Sequence, residues 1–113
     1  MAKLRLCVFV SGRGSNLQSL INACADNNYP AQIVLVISDV DGVPSLSRAK
    51  AVGIQTLVFD RKHFKSAKNL DDAMNEAIKP FNVNLICLAG YMRILSDSFV
   101  DQWHDRMINI HPS

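Results

Sequence analysis

Ligand-seeking residue types concentrate in three short segments. The first is Ser11-Gly12-Arg13-Gly14-Ser15-Asn16. Its two glycines permit tight turning and close backbone approach, and the Ser15 and Asn16 amides would point from the start of a helix toward an anion. No Lys-Ser/Thr pair follows the second glycine at P-loop spacing, and Leu17 stands where a G-x-G-x-x-G fingerprint needs its third glycine. A single phosphate therefore suits this loop better than a dinucleotide, although the same residues also suit a plain capped helix with a tight turn. The second segment, Ala89-Gly90-Tyr91-Met92-Arg93-Ile94-Leu95, mixes apolar bulk with one cation and one phenol. Apolar walls beside backbone donors and acceptors suit a flat heterocycle. A loop that packs its own hydrophobes would read the same way.

The third segment is Asn109-Ile110-His111-Pro112. Strand alternation puts Asn109 and His111 on one face and Ile110 on the other. A carboxamide can donate to a developing oxyanion, and an imidazole can move a proton near neutral pH. Pro112 restricts the backbone of His111 to extended conformations and so fixes its direction. Taken alone, such a histidine can equally be one bonded to a neighbouring carbonyl. His63 in a basic loop and His104 beside Trp103 read as surface residues, and no His/Cys/Asp set has metal-ligand spacing. Asp71-Asp72 read as helix-start carboxylates, and Lys62, Lys65 and Lys68 as a solvated basic segment.

The elements that would hold these segments alternate along the chain. Leu4–Val10 is a nearly continuous apolar run, the mark of a strand covered on both faces. A helix follows from Asn16, with Leu17, Leu20, Ile21 and Cys24 at helical spacing. Ala31–Ser38 is a second buried strand. Pro44 opens a short helix that Gly53 ends, and residues 54–59 form a third strand. Leu70, Ala73, Met74, Ala77 and Ile78 make a helical stripe ended by Pro80, before a fourth strand at Leu85–Ala89. Ser96 caps a helix expected to bury Phe99, Val100 and Trp103, and Met107–Ile110 is the fifth strand. Helices between buried strands imply right-handed crossovers and an α/β fold: a doubly wound, mainly parallel sheet with helices on both faces. In such a sheet ligands bind beyond the carboxyl ends of the strands, which is where all three segments fall.

Composition narrows the classes. The 113 residues carry 12 Lys+Arg against 10 Asp+Glu, a net charge of +2, too little for a phosphate-backbone footprint. No nucleic-acid partner is expected. The apolar runs are far short of a membrane span, and Met1-Ala2-Lys3-Leu4-Arg5 lacks signal-peptide architecture. Three cysteines without a CxxC pair read as reduced core residues of a cytoplasmic protein.

Together, Ser11-Gly12-Arg13-Gly14-Ser15-Asn16-Leu17-Gln18, Leu88-Ala89-Gly90-Tyr91-Met92-Arg93-Ile94-Leu95-Ser96 and Asn109-Ile110-His111-Pro112-Ser113 resemble the folate-dependent glycinamide ribonucleotide formyltransferases of purine synthesis. The likeness covers the whole chain in order and spacing. The last motif is shared with methionyl-tRNA formyltransferase and formyltetrahydrofolate deformylase, and the first is the more discriminating. The resemblance implies a Rossmann-like formyltransferase fold and direct formyl transfer from 10-formyltetrahydrofolate, a co-substrate, with no metal. It implies that Gly14, Ser15 and Asn16 hold the ribonucleotide phosphate. Met92, Arg93, Ile94 and Leu95 would line the folate site, largely through backbone groups. Asn109 would contact the folate and polarise the formyl oxygen, and His111 would stabilise the intermediate and assist proton transfer. The family's folate-contacting arginine after the third strand has no match here, and its role falls to Lys68.

The family also has an aspartate well downstream of the histidine, beyond this sequence. The expectation is that residues 1–113 are the N-terminal, mononucleotide-binding part of a formyltransferase domain whose C-terminal part is absent, weak or inactive alone. The partners implied are small-molecule substrates, with a homodimer left open. Two other readings remain: a formyltetrahydrofolate deformylase, against which the Gly14-Ser15-Asn16 loop argues, and a non-catalytic phosphate- or nucleotide-binding module.

Overall fold

A computed structural model describes residues 2–110. Five strands form one sheet in the order β3-β2-β1-β4-β5, every neighbouring pair parallel. They are β1 (Leu4–Val10), β2 (Ala31–Ser38), β3 (Thr56–Val58), β4 (Leu85–Ala89) and β5 (Met107–Ile110). The helices between them are α1 (Ser15–Cys24), α2 (Pro44–Ala51), α3 (Ala67–Ile78) and α4 (Asp97–Gln102). The chain runs outward from β1 through β2 to β3, then crosses back to lay β4 on the other side of β1. The loops after β1 and β4 therefore diverge at the point where strand order reverses, the ligand-binding crevice of open α/β sheets.

The two sheet faces carry separate cores. Cys7, Phe9, Leu35, Ile37 and Ile86 pack against Leu70, Met74 and Ile78 of α3 and Phe99 and Trp103 beside α4. The alternate residues Leu6, Val8, Val10, Val36, Cys87 and Ala89 pack against Leu17 and Ile21 of α1 and Ala49 of α2. Burial on both faces is why β1 reads as a nearly continuous apolar run. The three cysteines are free thiols. Burial pushes Cys7 well above its ordinary pKa and Cys87 up to about 11, so both are inert core residues.

Three expectations need correction. The third strand is shorter than 54–59, because the Ile54 amide donates back to Ala49 O (3.0 Å) and closes α2 before the chain joins β2. The first helix begins at Ser15, one residue early, because Gly14 caps it in a left-handed conformation (φ 81°). Val100 is 42% exposed; in a helix of six residues the buried side is Phe99 with Trp103 four residues on, and Val100 lies about 100° round the axis. Among the described residues no helix is long and apolar enough to cross a membrane.

Candidate functional site

The loop after β1 forms one wall of the crevice. Gln18 N–H makes the first helical hydrogen bond, to Gly14 O (2.7 Å), so the amides of Ser15, Asn16 and Leu17 have no partner within α1. They are backbone donors at a positive dipole end, the arrangement that receives an anion. The carbonyls of the same loop are turned away and held by α2. Ser45, fully buried, donates its hydroxyl and its amide to Gly12 O, and Arg48 Nε donates to Arg13 O (2.8 Å). A Cβ at Gly14 would stand 2.8 Å from Ser45 Oγ and 2.9 Å from Ser45 Cα. Glycine is thus required there twice, by contact and by φ. The resulting pocket, about 280 Å³, is lined by residues of 11–16 with Ala89, Gly90 and Met92. Gly14, Ser15 and Asn16, singled out in the sequence, all lie in it.

The loop after β4 forms the opposite wall. Met92 and Ile94 are 79% and 88% exposed, large apolar side chains presented outward. Arg93 between them does the reverse. Its Nη2 pairs with Asp71 of α3, its Nε donates to Tyr91 Oη (3.0 Å), and its Nη1 donates to Ile94 O (3.4 Å). Burial opposes the Arg93 charge, but the hydrogen bonds to Asp71 and Tyr91 outweigh it and lift its pKa. Met92, Arg93 and Ile94 line a pocket of about 580 Å³ with Asp39, Asp60, Arg61 and Ala67. Met92 belongs to both pockets. Its amide donates to Ser11 Oγ (2.8 Å), and that hydroxyl donates to Asp39 Oδ1 (2.6 Å), tying the loops after β1, β2 and β4 together.

The remaining sequence-predicted residues lie as follows. Asn109 pairs in register with Leu88 at the carboxyl end of β5 and is exposed, while Ile110 packs on the α1 side. With Leu88, Trp103 and Met107, Asn109 edges a groove of about 270 Å³. His111 lies outside the described residues. Leu95 packs against the core on the α3 side. Lys68 is exposed on α3 and pairs with Asp72 one turn on (2.7 Å). Asp71 and Asp72 both stand beyond the first turn of α3, not at its start, and Asp72 is solvated. Asp71 is not: it is 1% exposed and bonded on both oxygens, to Arg93 and to the Ser96 amide (2.6 Å). The sequence reading of Asp71 as a helix-start carboxylate is therefore wrong. Its signal was present, since Asp71, Met74 and Ile78 follow the i, i+3, i+7 spacing of the buried stripe. Asp39 and Ser45 were also missed as parts of the site, as were the bonds by which Ser11 of the first segment joins Asp39 and Met92.

A five-stranded parallel sheet of this order, with two pockets meeting at its switch point, defines a Rossmann-like α/β protein. Residues 4–113 match the formyl transferase family, and the chain belongs to that family. The trifunctional purine biosynthetic protein adenosine-3 of Gallus gallus is 45% identical over 111 residues, 98% of this chain and 11% of that protein. Phosphoribosylglycinamide formyltransferase of Haemophilus influenzae is 41% identical over 109 residues, 96% of this chain and 51% of that one. The crystal structure of phosphoribosylglycinamide formyltransferase from Brucella melitensis matches with a TM-score of 0.94 at 44% identity, over 98% of this chain and 58% of that chain. The chain thus spans about half the length of the Haemophilus and Brucella relatives and 11% of the Gallus one.

Proposed function

We propose that this chain supplies the phosphate-binding half of a phosphoribosylglycinamide formyltransferase, acting in purine synthesis in the cytoplasm. The observation that carries the reading is the pair of adjoining pockets that share Met92, one rimmed by backbone donors and one walled by Met92 and Ile94 beside Asp39, Asp60 and Arg61. Two substrates of opposite character, an anionic ribonucleotide and a largely flat folate, would then meet at the strand ends. The relatives bearing this name are similar over nearly the whole chain.

In this reading the glycinamide amine attacks the formyl carbon of 10-formyltetrahydrofolate. The carbon–nitrogen bond to the folate breaks, and the amine's surplus proton ends on the departing nitrogen. The amides at Gly14, Ser15 and Asn16 hold the phosphate and so fix where the amine arrives. Backbone groups of residues 92–95 hold the heterocycle, with Met92 and Ile94 excluding water from it. The larger pocket, about 580 Å³, lies within the range that takes ligands of this size. Asn109 donates to the formyl oxygen as charge builds there, and His111 stabilises that charge and moves the proton. Lys68 meets the acidic tail of the folate only by leaving Asp72, a solvent-screened pair that holds it weakly.

The test uses the complete protein that carries these residues, mixed with glycinamide ribonucleotide and 10-formyltetrahydrofolate while tetrahydrofolate release is followed. Release that requires the ribonucleotide is expected. Release without it would make the protein a deformylase, and no release would leave a binding module. His111→Ala is expected to abolish transfer while ribonucleotide affinity stays within about twofold.

A further inference from the structure

We propose that Asp71 is a positioning residue for the co-substrate wall: from the buried face of α3 it holds Arg93 and the Ser96 amide, and through them sets the course of residues 91–96. The proposal rests on the reading of that segment as the folate wall. Asp71 is the only described residue that grips the segment at two separated points. One oxygen takes the guanidinium of Arg93 and the other takes the amide of Ser96 (2.6 Å), the residue that caps α4. Arg93 then distributes the constraint, through Nε to the Tyr91 hydroxyl and through Nη1 to Ile94 O.

The geometry has a consequence for what the wall displays. Two large apolar side chains, Met92 and Ile94, stand outward against solvent, at a cost the chain would relieve by folding them in. The position that the loop's interior would offer them is filled by Arg93, neutralised by Asp71. The buried pair therefore excludes the apolar side chains from the interior and turns them toward the ligand. With Asp71 uncharged, Arg93 has no buried counter-charge and must swing toward water, and Ile94 is free to take its place. Breaking one partner of such a pair is far costlier than never having built it.

The experiment measures Asp71→Asn in the complete protein. The expected result is a KM for 10-formyltetrahydrofolate raised on the order of tenfold to a hundredfold, with ribonucleotide affinity within about twofold. Arg93→Met is expected to show the same selective loss, and the double variant to lose clearly less than the sum of the two singles, because the Asp71–Arg93 contact is common to both. Equal losses for both substrates, or additive losses in the double variant, would overturn the proposal in favour of general destabilisation. Arg93→Lys, which keeps the cation and gives up the Tyr91 and Ile94 bonds, covers the case in which Asp71→Asn does not fold; an unchanged folate KM there would also overturn it. A readout independent of the reaction separates this proposal from the functional one. Backbone hydrogen exchange across residues 92–96 should accelerate in Asp71→Asn while residues 14–17 stay unchanged. Unaltered exchange in 92–96 would refute positioning by Asp71 even in a protein that transfers formyl groups normally.

Discussion

The loops after β1 and β4 face each other across one crevice and are built on opposite plans. The loop after β1 turns its amides outward and has its carbonyls taken up behind it, by Ser45 and Arg48 of α2. The loop after β4 turns apolar side chains outward and consumes its charge behind it, in the Asp71–Arg93–Tyr91 cluster. The difference follows from what each can offer a ligand. Backbone donors reach an anion only where side chains are small and the competing carbonyls are restrained. An apolar wall keeps its shape only where something other than its own hydrophobes fills the space beneath it. The first loop is therefore sensitive to added atoms and the second to removed charge.

Gly14→Ala breaks the first plan most severely. The new Cβ would meet Ser45 at 2.8 to 2.9 Å, at a φ of +81° that L side chains rarely adopt. Stability should fall by about 2 kcal/mol or more, and ribonucleotide affinity by on the order of a hundredfold, since the donors of 14–16 can no longer face one point. Gly12→Ala is the contrast, because nothing lies within 4 Å of its added Cβ. Its unfolding free energy should shift by no more than about 0.5 kcal/mol. Denaturant titration and ribonucleotide binding of the two variants check the point, and equal effects would refute it.

On the opposite wall the corresponding change is Ile94→Ser. Ile94 lines the larger pocket and not the smaller one, and it is 88% exposed, so its loss should leave thermal stability unaltered. Affinity for the folate should fall about tenfold, the value of one aliphatic side chain no longer covered by ligand. Ribonucleotide affinity should not move. A folate titration that gives the same constant for both proteins would remove Ile94 from the wall.

What sequence revealed about the two plans differs for a physical reason. The strands β1, β2 and β4 were legible to the residue because burial on both faces leaves a nearly continuous apolar run, and the short edge strand β5, half exposed, was bounded as well. The amide cradle was legible because its signal is local, two glycines and a helix start within six residues. The bracing behind each loop is non-local and was not read. Ser45 meets Gly12 from 33 positions away, Arg93 meets Asp71 from 22, and Ser11 meets Met92 from 81. No window on the chain holds both partners of any of these contacts. Only Asp71 left a local trace, as an acid in the buried stripe of an amphipathic helix, and the more familiar preference of carboxylates for helix starts masked it.

A further contrast separates the loop interiors by pH. Tyr91 packs edge-on to Phe9, with ring centroids 5.2 Å apart, and its oxygen accepts from Arg93 Nε. Burial pushes its pKa from 10.0 up to about 12, with Arg93 pulling the other way. In the unfolded chain the phenol loses its proton first, so between these values the unfolded state binds fewer protons than the native one. Stability then falls as pH rises. The contribution is present in full below about pH 10 and is gone by about pH 12. Tyr91→Phe should remove that part of the alkaline slope, at a cost near neutrality of about 1 kcal/mol for the acceptor Arg93 loses. Denaturant unfolding of both proteins across that window reads the difference directly. The interior behind the first loop holds a serine hydroxyl in place of a phenol, so Ser45→Ala should lower stability by a similar amount with no change in alkaline slope. If instead the two variants lose the same slope, the alkaline sensitivity does not belong to the Tyr91–Arg93 contact.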